Sequence, residues 1–123
     1  VRQSDNPDNT LTSNNAYLQE RFEEFTELVE KNVSSQKQVS YYTSSMNLSS
    51  YQLNEITKKA IGKTASAMID EYIVLEAKRY LLATPYQIKE IADHLGYEDP
   101  SYFIRFFKKH TGLSPDAFRK NFK

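Results

Sequence analysis

The 123 residues carry sixteen basic and sixteen acidic side chains, so the formal net charge is zero and overall charge alone gives no pull toward nucleic acid or an anionic membrane. With no cysteine, disulfide frameworks and thiolate zinc sites are excluded, and no apolar run approaches the ~18 residues of a membrane span. Hydrophobic residues make up 39% of the chain, with only three glycines and four prolines and no long alternation of β-branched with polar residues, which points to an all-α fold with enough apolar material for a core. The length suits one domain, or two small subdomains sharing a helix. The chain opens at Val1 without a charged-then-apolar signal segment, and is expected to be a fragment of a longer protein. Its charge is uneven. Residues 1–31 hold three basic and seven acidic side chains, net −4, and residues 32–123 hold thirteen and nine, net +4.

In chain order, residues 1–15 are rich in Asn, Asp, Ser and Thr and read as a flexible linker. Leu18, Phe22, Phe25 and Val29 then recur at helical spacing opposite Glu20, Glu23, Glu24, Glu27 and Glu30, which predicts a helix near 15–33 docked by its apolar face. Ser35 with Gln38, Ser49 with Gln52 and Thr84 with Gln87 each have capping-box spacing. Pro85, Pro100 and Pro115 suit first helical positions, and Gly62 and Gly112 suit helix ends. These marks predict further helices near 36–46, 50–61, 64–83, 86–95, 100–111 and 115–121, seven in all. They divide the chain into a first subdomain at about 16–63, a linking helix at about 64–83 and a second subdomain at about 84–123.

Residues 39–65 resemble residues 88–115. Val39, Tyr42, Thr43, Met46, Asn47 and Leu48 match Ile88, Ile91, Ala92, Leu95, Gly96 and Tyr97. After one extra residue in the second copy, Leu53, Ile56, Lys58, Lys59 and Gly62 match Phe103, Phe106, Lys108, Lys109 and Gly112. Each copy reads as a helix-turn-helix. A small residue, Thr43 or Ala92, lets the second helix cross closely, and Asn47 or Gly96 tolerates a left-handed backbone at the turn. Leu53 with Ile56, and Phe103 with Phe106, are expected to anchor a second helix whose outer face stays open to a DNA major groove.

The stretch from Val39 to Asn121 resembles the DNA-binding domain of the arabinose-operon regulator (AraC/XylS) family. The second copy carries most of the likeness: Ile88 to Tyr97, Ser101 to Lys109, then Thr111-Gly112-Leu113-Ser114-Pro115 with Phe118 and Arg119. The linking stretch from Ile69 to Leu82 adds to it. The resemblance implies two helix-turn-helix subdomains joined by a long helix, following a separate N-terminal sensor domain, in a bacterial cytoplasmic, nucleoid-associated activator that contacts RNA polymerase. A linking helix of about 19 residues would span ~28 Å, against ~34 Å between successive major grooves on one DNA face, so one chain could place a recognition helix in each.

The expected base contacts are Ser101, Tyr102 and Arg105 in the second copy, with Arg105 suited to guanine O6 and N7, and Ser50, Tyr51, Asn54 and Glu55 in the first. Asn54 suits adenine. Glu55 suits cytosine N4, departs from the family's basic or small residue, and would repel phosphate. Lys58, Lys59, Lys108, Lys109 and Arg119 are the expected phosphate contacts. His94 and His110 stand alone, without a ligand cluster, and no Ser/His/Asp grouping or phosphate-cradling glycine loop occurs, so no metal, cofactor or enzymatic activity is expected. The rival reading is a helical protein-interaction module that does not bind DNA. It draws on the zero net charge, on Glu55 and on the acidic first helix.

Overall fold

The computed structural model describes residues 7–122, with the backbone alone for residues 7–13. Its described residues form seven α-helices and no strand: α1 Pro7–Asn32, α2 Val39–Met46, α3 Ser50–Ile61, α4 Ala65–Ala83, α5 Ile88–His94, α6 Pro100–Thr111 and α7 Pro115–Phe122. None of these helices is long and apolar enough to cross a membrane.

The predicted linker over residues 1–15 is corrected over most of its length, because α1 begins at Pro7; residues 1–6 lie outside the described part. Once Phe25 and Val29 are fully buried, extending the helix upstream adds one hydrogen bond per residue without a new nucleation cost. Pro7 also suits a first helical position, where its missing N–H has no intrahelical partner to lose.

Two predicted caps are displaced. Ser35 lies in the turn after α1, its hydroxyl donating to the Asn32 carbonyl at 3.3 Å, and α2 starts after Gln38 instead. Thr84 turns its hydroxyl back to the Tyr80 carbonyl at 2.6 Å, and α5 starts after Gln87, whose N–H donates to the Glu90 carboxylate at 2.8 Å. Pro85 therefore lies before the helix and not at its first position. The Ser49–Gln52 capping box is present in both directions, at 3.1 and 2.9 Å, and Pro100 and Pro115 do open α6 and α7.

The helices group into two compact units. The first comprises α1 up to Lys31 with residues 38–68. Phe25 meets Tyr42 edge-to-face at 5.5 Å, and Met46, Leu53, Ile56, Thr57, Ala65 and Met68 are buried with them. The second comprises residues 32–37 with the chain from Ile69 onward. Its core joins Ala77 and Leu81 of α4, Ile91, Ala92 and Leu95 around α5, Phe103 and Phe107 of α6 and Phe118 of α7. The long helix is shared between the units, its first residues grouping with the first and its stretch from Ile69 on forming one wall of the second. The loop after α1 belongs to the second unit as well.

Within α6 the anchoring pair is Phe103 and Phe107, four residues apart, while Phe106 is only half-buried. The expected pairing of Phe103 with Phe106 is thus off by one position. Its counterpart in α3 is Leu53 with Thr57, and the Thr57 hydroxyl, in a fully buried residue, is satisfied by the Asn54 carbonyl at 3.2 Å.

Candidate nucleic-acid interface

Each unit contains one helix-turn-helix, and the two turns close by the same hydrogen bonds. In the first, Asn47 stands at φ 58°, its N–H reaches the Ser44 carbonyl at 3.3 Å and the Leu48 N–H reaches the Thr43 carbonyl at 2.9 Å. In the second, Gly96 stands at φ 84°, its N–H reaches Asp93 at 2.9 Å and the Tyr97 N–H reaches Ala92 at 2.9 Å. The pattern is a Schellman-type stop that satisfies the last carbonyls of the first helix and turns the chain sharply into the next. Both second helices also end alike, with the Gly62 N–H on the Lys58 carbonyl at 2.9 Å and the Gly112 N–H on the Lys108 carbonyl at 2.8 Å. Lysines in the last turn face the negative end of each helix dipole.

The buried anchors fix which face of each second helix remains outside. On α6, Phe103 and Phe107 turn inward, and Ser101, Tyr102, Arg105, Lys108 and Lys109 are all exposed. Ser101, Arg105 and Lys109 follow at four-residue intervals along one stripe. The Arg105 guanidinium lies over the Tyr102 ring, 5.0 Å from its centroid, a cation–π contact that narrows the conformations of a long side chain before any ligand arrives. Asp99 caps α6 by accepting from the Ser101 N–H at 2.9 Å, and that bond holds its carboxyl below the usual range, with Arg105 adding a smaller pull. On α3 the equivalent stripe is Tyr51, Glu55 and Lys59, with Ser50 and Lys58 beside it. Ser50, Tyr51, Lys58 and Lys59 are exposed, Glu55 is half-buried, and Lys59 Nζ stands 3.9 Å from Glu55 Oε1.

Two predicted contacts are employed elsewhere in the fold. Asn54 Oδ1 accepts from the Ala65 N–H at 2.9 Å, satisfying one of the donors that the first turn of α4 would otherwise leave open. That bond takes one of the two lone pairs of the amide oxygen and ties the side chain to the start of α4. Arg119 donates from Nε to the Leu81 carbonyl at 3.0 Å, and from its two terminal nitrogens to Tyr86 at 2.6 Å and Thr84 at 3.1 Å. All three nitrogens of the guanidinium thus donate to carbonyls at and beyond the end of α4, so Arg119 caps that helix end within the second unit.

Arg21 is a structural side chain that periodicity did not single out. It donates to the Met46 carbonyl at 2.5 Å and to Glu24 at 3.0 Å, tying α1 to the end of α2 beside the first turn. A basic residue on the apolar edge of an otherwise acidic helix was the available signal. Lys37 is another. Its ammonium donates to the Ser34 carbonyl at 2.9 Å and lies 4.9 Å from the Tyr97 ring centroid, and burial pulls its pKa down. Tyr97 itself is pushed up to about 12, by burial first and the Asp70 charge second. Both histidines are exposed and lie against aromatic rings. His94 lies parallel to Tyr86 at 4.9 Å and to Tyr80 at 5.3 Å, and His110 contacts Phe106 at 4.4 Å with its Nε2 3.8 Å from Asp70. Among the described residues no group of three or more acids and histidines is placed to hold a metal ion.

A helix-turn-helix domain model matches residues 42–121. The chain is 34% identical over 95 residues to the bifunctional transcriptional activator/DNA repair enzyme AdaA of Bacillus subtilis, a match covering 77% of this chain and 45% of that protein. It is 32% identical over 72 residues to the arabinose operon regulatory protein of Escherichia coli, covering 58% of this chain and 25% of that one. Among solved structures, the C-terminal domain of the two-component response regulator yesN from Fusobacterium nucleatum superposes with a TM-score of 0.74 at 31% identity, covering 81% of this chain and 98% of that domain. The chain therefore spans less than half the length of either of these full-length relatives, and nearly all of the excised domain.

Proposed function

The chain belongs to the AraC-type helix-turn-helix family of DNA-binding transcription regulators, and from that premise we propose that α3 and α6 are two recognition helices, each laid in a major groove of double-stranded DNA. The observation that carries this reading is the exposed stripe of α6, in which Arg105 is held over Tyr102 and followed by Lys108 and Lys109. Arg105 reads guanine O6 and N7, Ser101 and Tyr102 touch neighbouring bases, and Lys108 and Lys109 neutralise phosphates. On α3, Ser50, Tyr51 and Glu55 face the bases, and Lys58 and Lys59 face the backbone.

The domain acts by binding and not by catalysis. AdaA is a transcriptional activator and the Escherichia coli relative an operon regulator. We infer further that the whole protein carries a sensor N-terminal to this domain, works in the cytoplasm at the nucleoid, and activates by contacting RNA polymerase, as the sequence resemblance to the arabinose-operon regulator family implies.

Site selection from randomised duplexes, followed by salt titration on the selected site, tests the reading. Arg105→Ala is expected to cost about 1–3 kcal/mol on that site and to flatten preference at one or two base pairs. Lys108→Ala is expected to weaken all sequences alike and to reduce the slope of log K against log salt by about 0.9. An affinity independent of salt, or an Arg105→Ala loss equal for every sequence, would refute it.

A further inference from the structure

The two second helices share one register. Leu53 and Phe103 are buried at the same step, Thr57 and Phe107 one turn later, and both helices close with a lysine pair and a glycine cap. In that register Glu55 occupies the step of Arg105. The fold therefore presents a carboxylate in one unit where it presents a guanidinium in the other.

The surroundings of Glu55 leave it able to accept. Lys59 Nζ, at 3.9 Å, balances its charge but is beyond hydrogen-bond reach. The side chain borders a groove of about 190 Å³, largely apolar, lined by Tyr17 and Leu18 of α1 and by Tyr51 and Ile56 of α3. Tyr51, one turn earlier on the same stripe, is 74% exposed.

Resting on the reading that α3 and α6 enter major grooves, we propose that Glu55 is a specificity determinant that selects cytosine in the half-site of α3, so that the two units read chemically opposite half-sites. The argument follows from what each base displays. Cytosine shows an amino donor at N4. Guanine shows only acceptors, N7 and O6, and thymine shows the O4 acceptor and a methyl group. Adenine sets its N6 donor beside the N7 acceptor, which a carboxylate meets with repulsion and an arginine or glutamine does not. A carboxylate thus gains most from cytosine, finds no donor on guanine or thymine, and at adenine meets the N7 acceptor beside the one donor it could use. Arg105, all donor, has the reverse preference. Glu55 also repels phosphate and engages the Lys59 charge, so α3 adds discrimination while adding less non-specific attraction than α6.

The test is site selection with the intact chain and with Glu55→Gln, Glu55→Ala and Arg105→Ala, followed by affinities for single-base variants of the selected site. Glutamine has the acceptor–donor pair that suits adenine, so Glu55→Gln is expected to turn one C·G pair of the site into A·T. Glu55→Ala is expected to flatten preference at that same pair by about 5- to 10-fold, the lower end of what one base contact provides, while raising affinity for random DNA. If neither Glu55 variant alters any position while Arg105→Ala flattens another, the role of Glu55 is overturned and the α6 reading stands. If the Glu55 variants shift affinity for all sequences equally, Glu55 acts through charge alone and the inference is also overturned. If none of the three variants changes the selected site, base reading by either helix fails with it.

Discussion

Gly96→Ala is the substitution whose consequence the structure specifies most fully. An ideal Cβ at Gly96 would lie 2.1 Å from the Ser34 carbonyl oxygen and 2.8 Å from Lys37 Nζ. A carbon needs about 3.3 Å from a carbonyl oxygen, so the loop after α1 must retreat by roughly 1 Å. That movement strains the Lys37 hydrogen bond to Ser34 and its contact with the Tyr97 ring. The charged hydrogen bond and the cation–π contact together account for about 2–3 kcal/mol. The left-handed backbone at φ 84° adds about 1–2 kcal/mol for any residue with a Cβ. The expected loss is about 3–5 kcal/mol. Gly112→Ala separates the two causes. Its φ of 83° is nearly the same, and a Cβ there meets nothing within 4 Å, so only the backbone cost of about 1–2 kcal/mol applies. The equivalent turn in the first unit carries Asn47, a residue with a side chain, at φ 58° and exposed. The turn itself therefore tolerates a Cβ, and the crossing loop is what demands glycine at 96. Urea denaturation of the three proteins, followed by helical circular dichroism, measures the difference. Equal destabilisation by Gly96→Ala and Gly112→Ala, within about 0.5 kcal/mol, would refute the close approach of the loop as the cause.

Arg119→Lys keeps the charge but replaces a planar three-armed donor with one ammonium. It is expected to cost about 2–4 kcal/mol of stability and to leave the salt slope of DNA binding unchanged; a lowered slope with unchanged melting would restore Arg119 as a phosphate contact. Asn54→Ala should destabilise the first unit by about 1 kcal/mol through the open Ala65 N–H, without changing the selected DNA sequence. A changed base preference at constant stability would return Asn54 to the readout.

The helix count, the all-α class and the duplicated turn were legible because each rests on local chemistry. Apolar spacing, proline after a capping residue and glycine after a lysine pair are decided within a few residues of chain. What stayed hidden depends on partners far along the sequence. Asn54 and Arg119 look like any polar residue on a helix surface until the Ala65 N–H, or the Leu81, Thr84 and Tyr86 carbonyls, are brought to them. Residues 7–15 lack apolar periodicity, and their helix follows from the anchoring of Phe25 and Val29 downstream. Phe106 and Phe107 are adjacent aromatics, and only the packed core distinguishes the buried one. Ser35 and Thr84 illustrate another ambiguity, since a hydroxyl that could cap the next helix can also bond back to the one before.

The guanidinium of Arg119 also imposes an order of events during synthesis. The Leu81 carbonyl it binds is 38 residues earlier in the chain, so the end of α4 is synthesised well before its cap. Until α7 is in place, the Leu81, Thr84 and Tyr86 carbonyls lack the guanidinium, and Phe107 lacks the edge-to-face ring of Phe118 that lies 5.6 Å from it in the finished unit. The residues of the first unit are all synthesised by Met68. A nascent chain can therefore hold one finished helix-turn-helix while the other is still open, and its last turn of helix decides when the second becomes resistant to proteases.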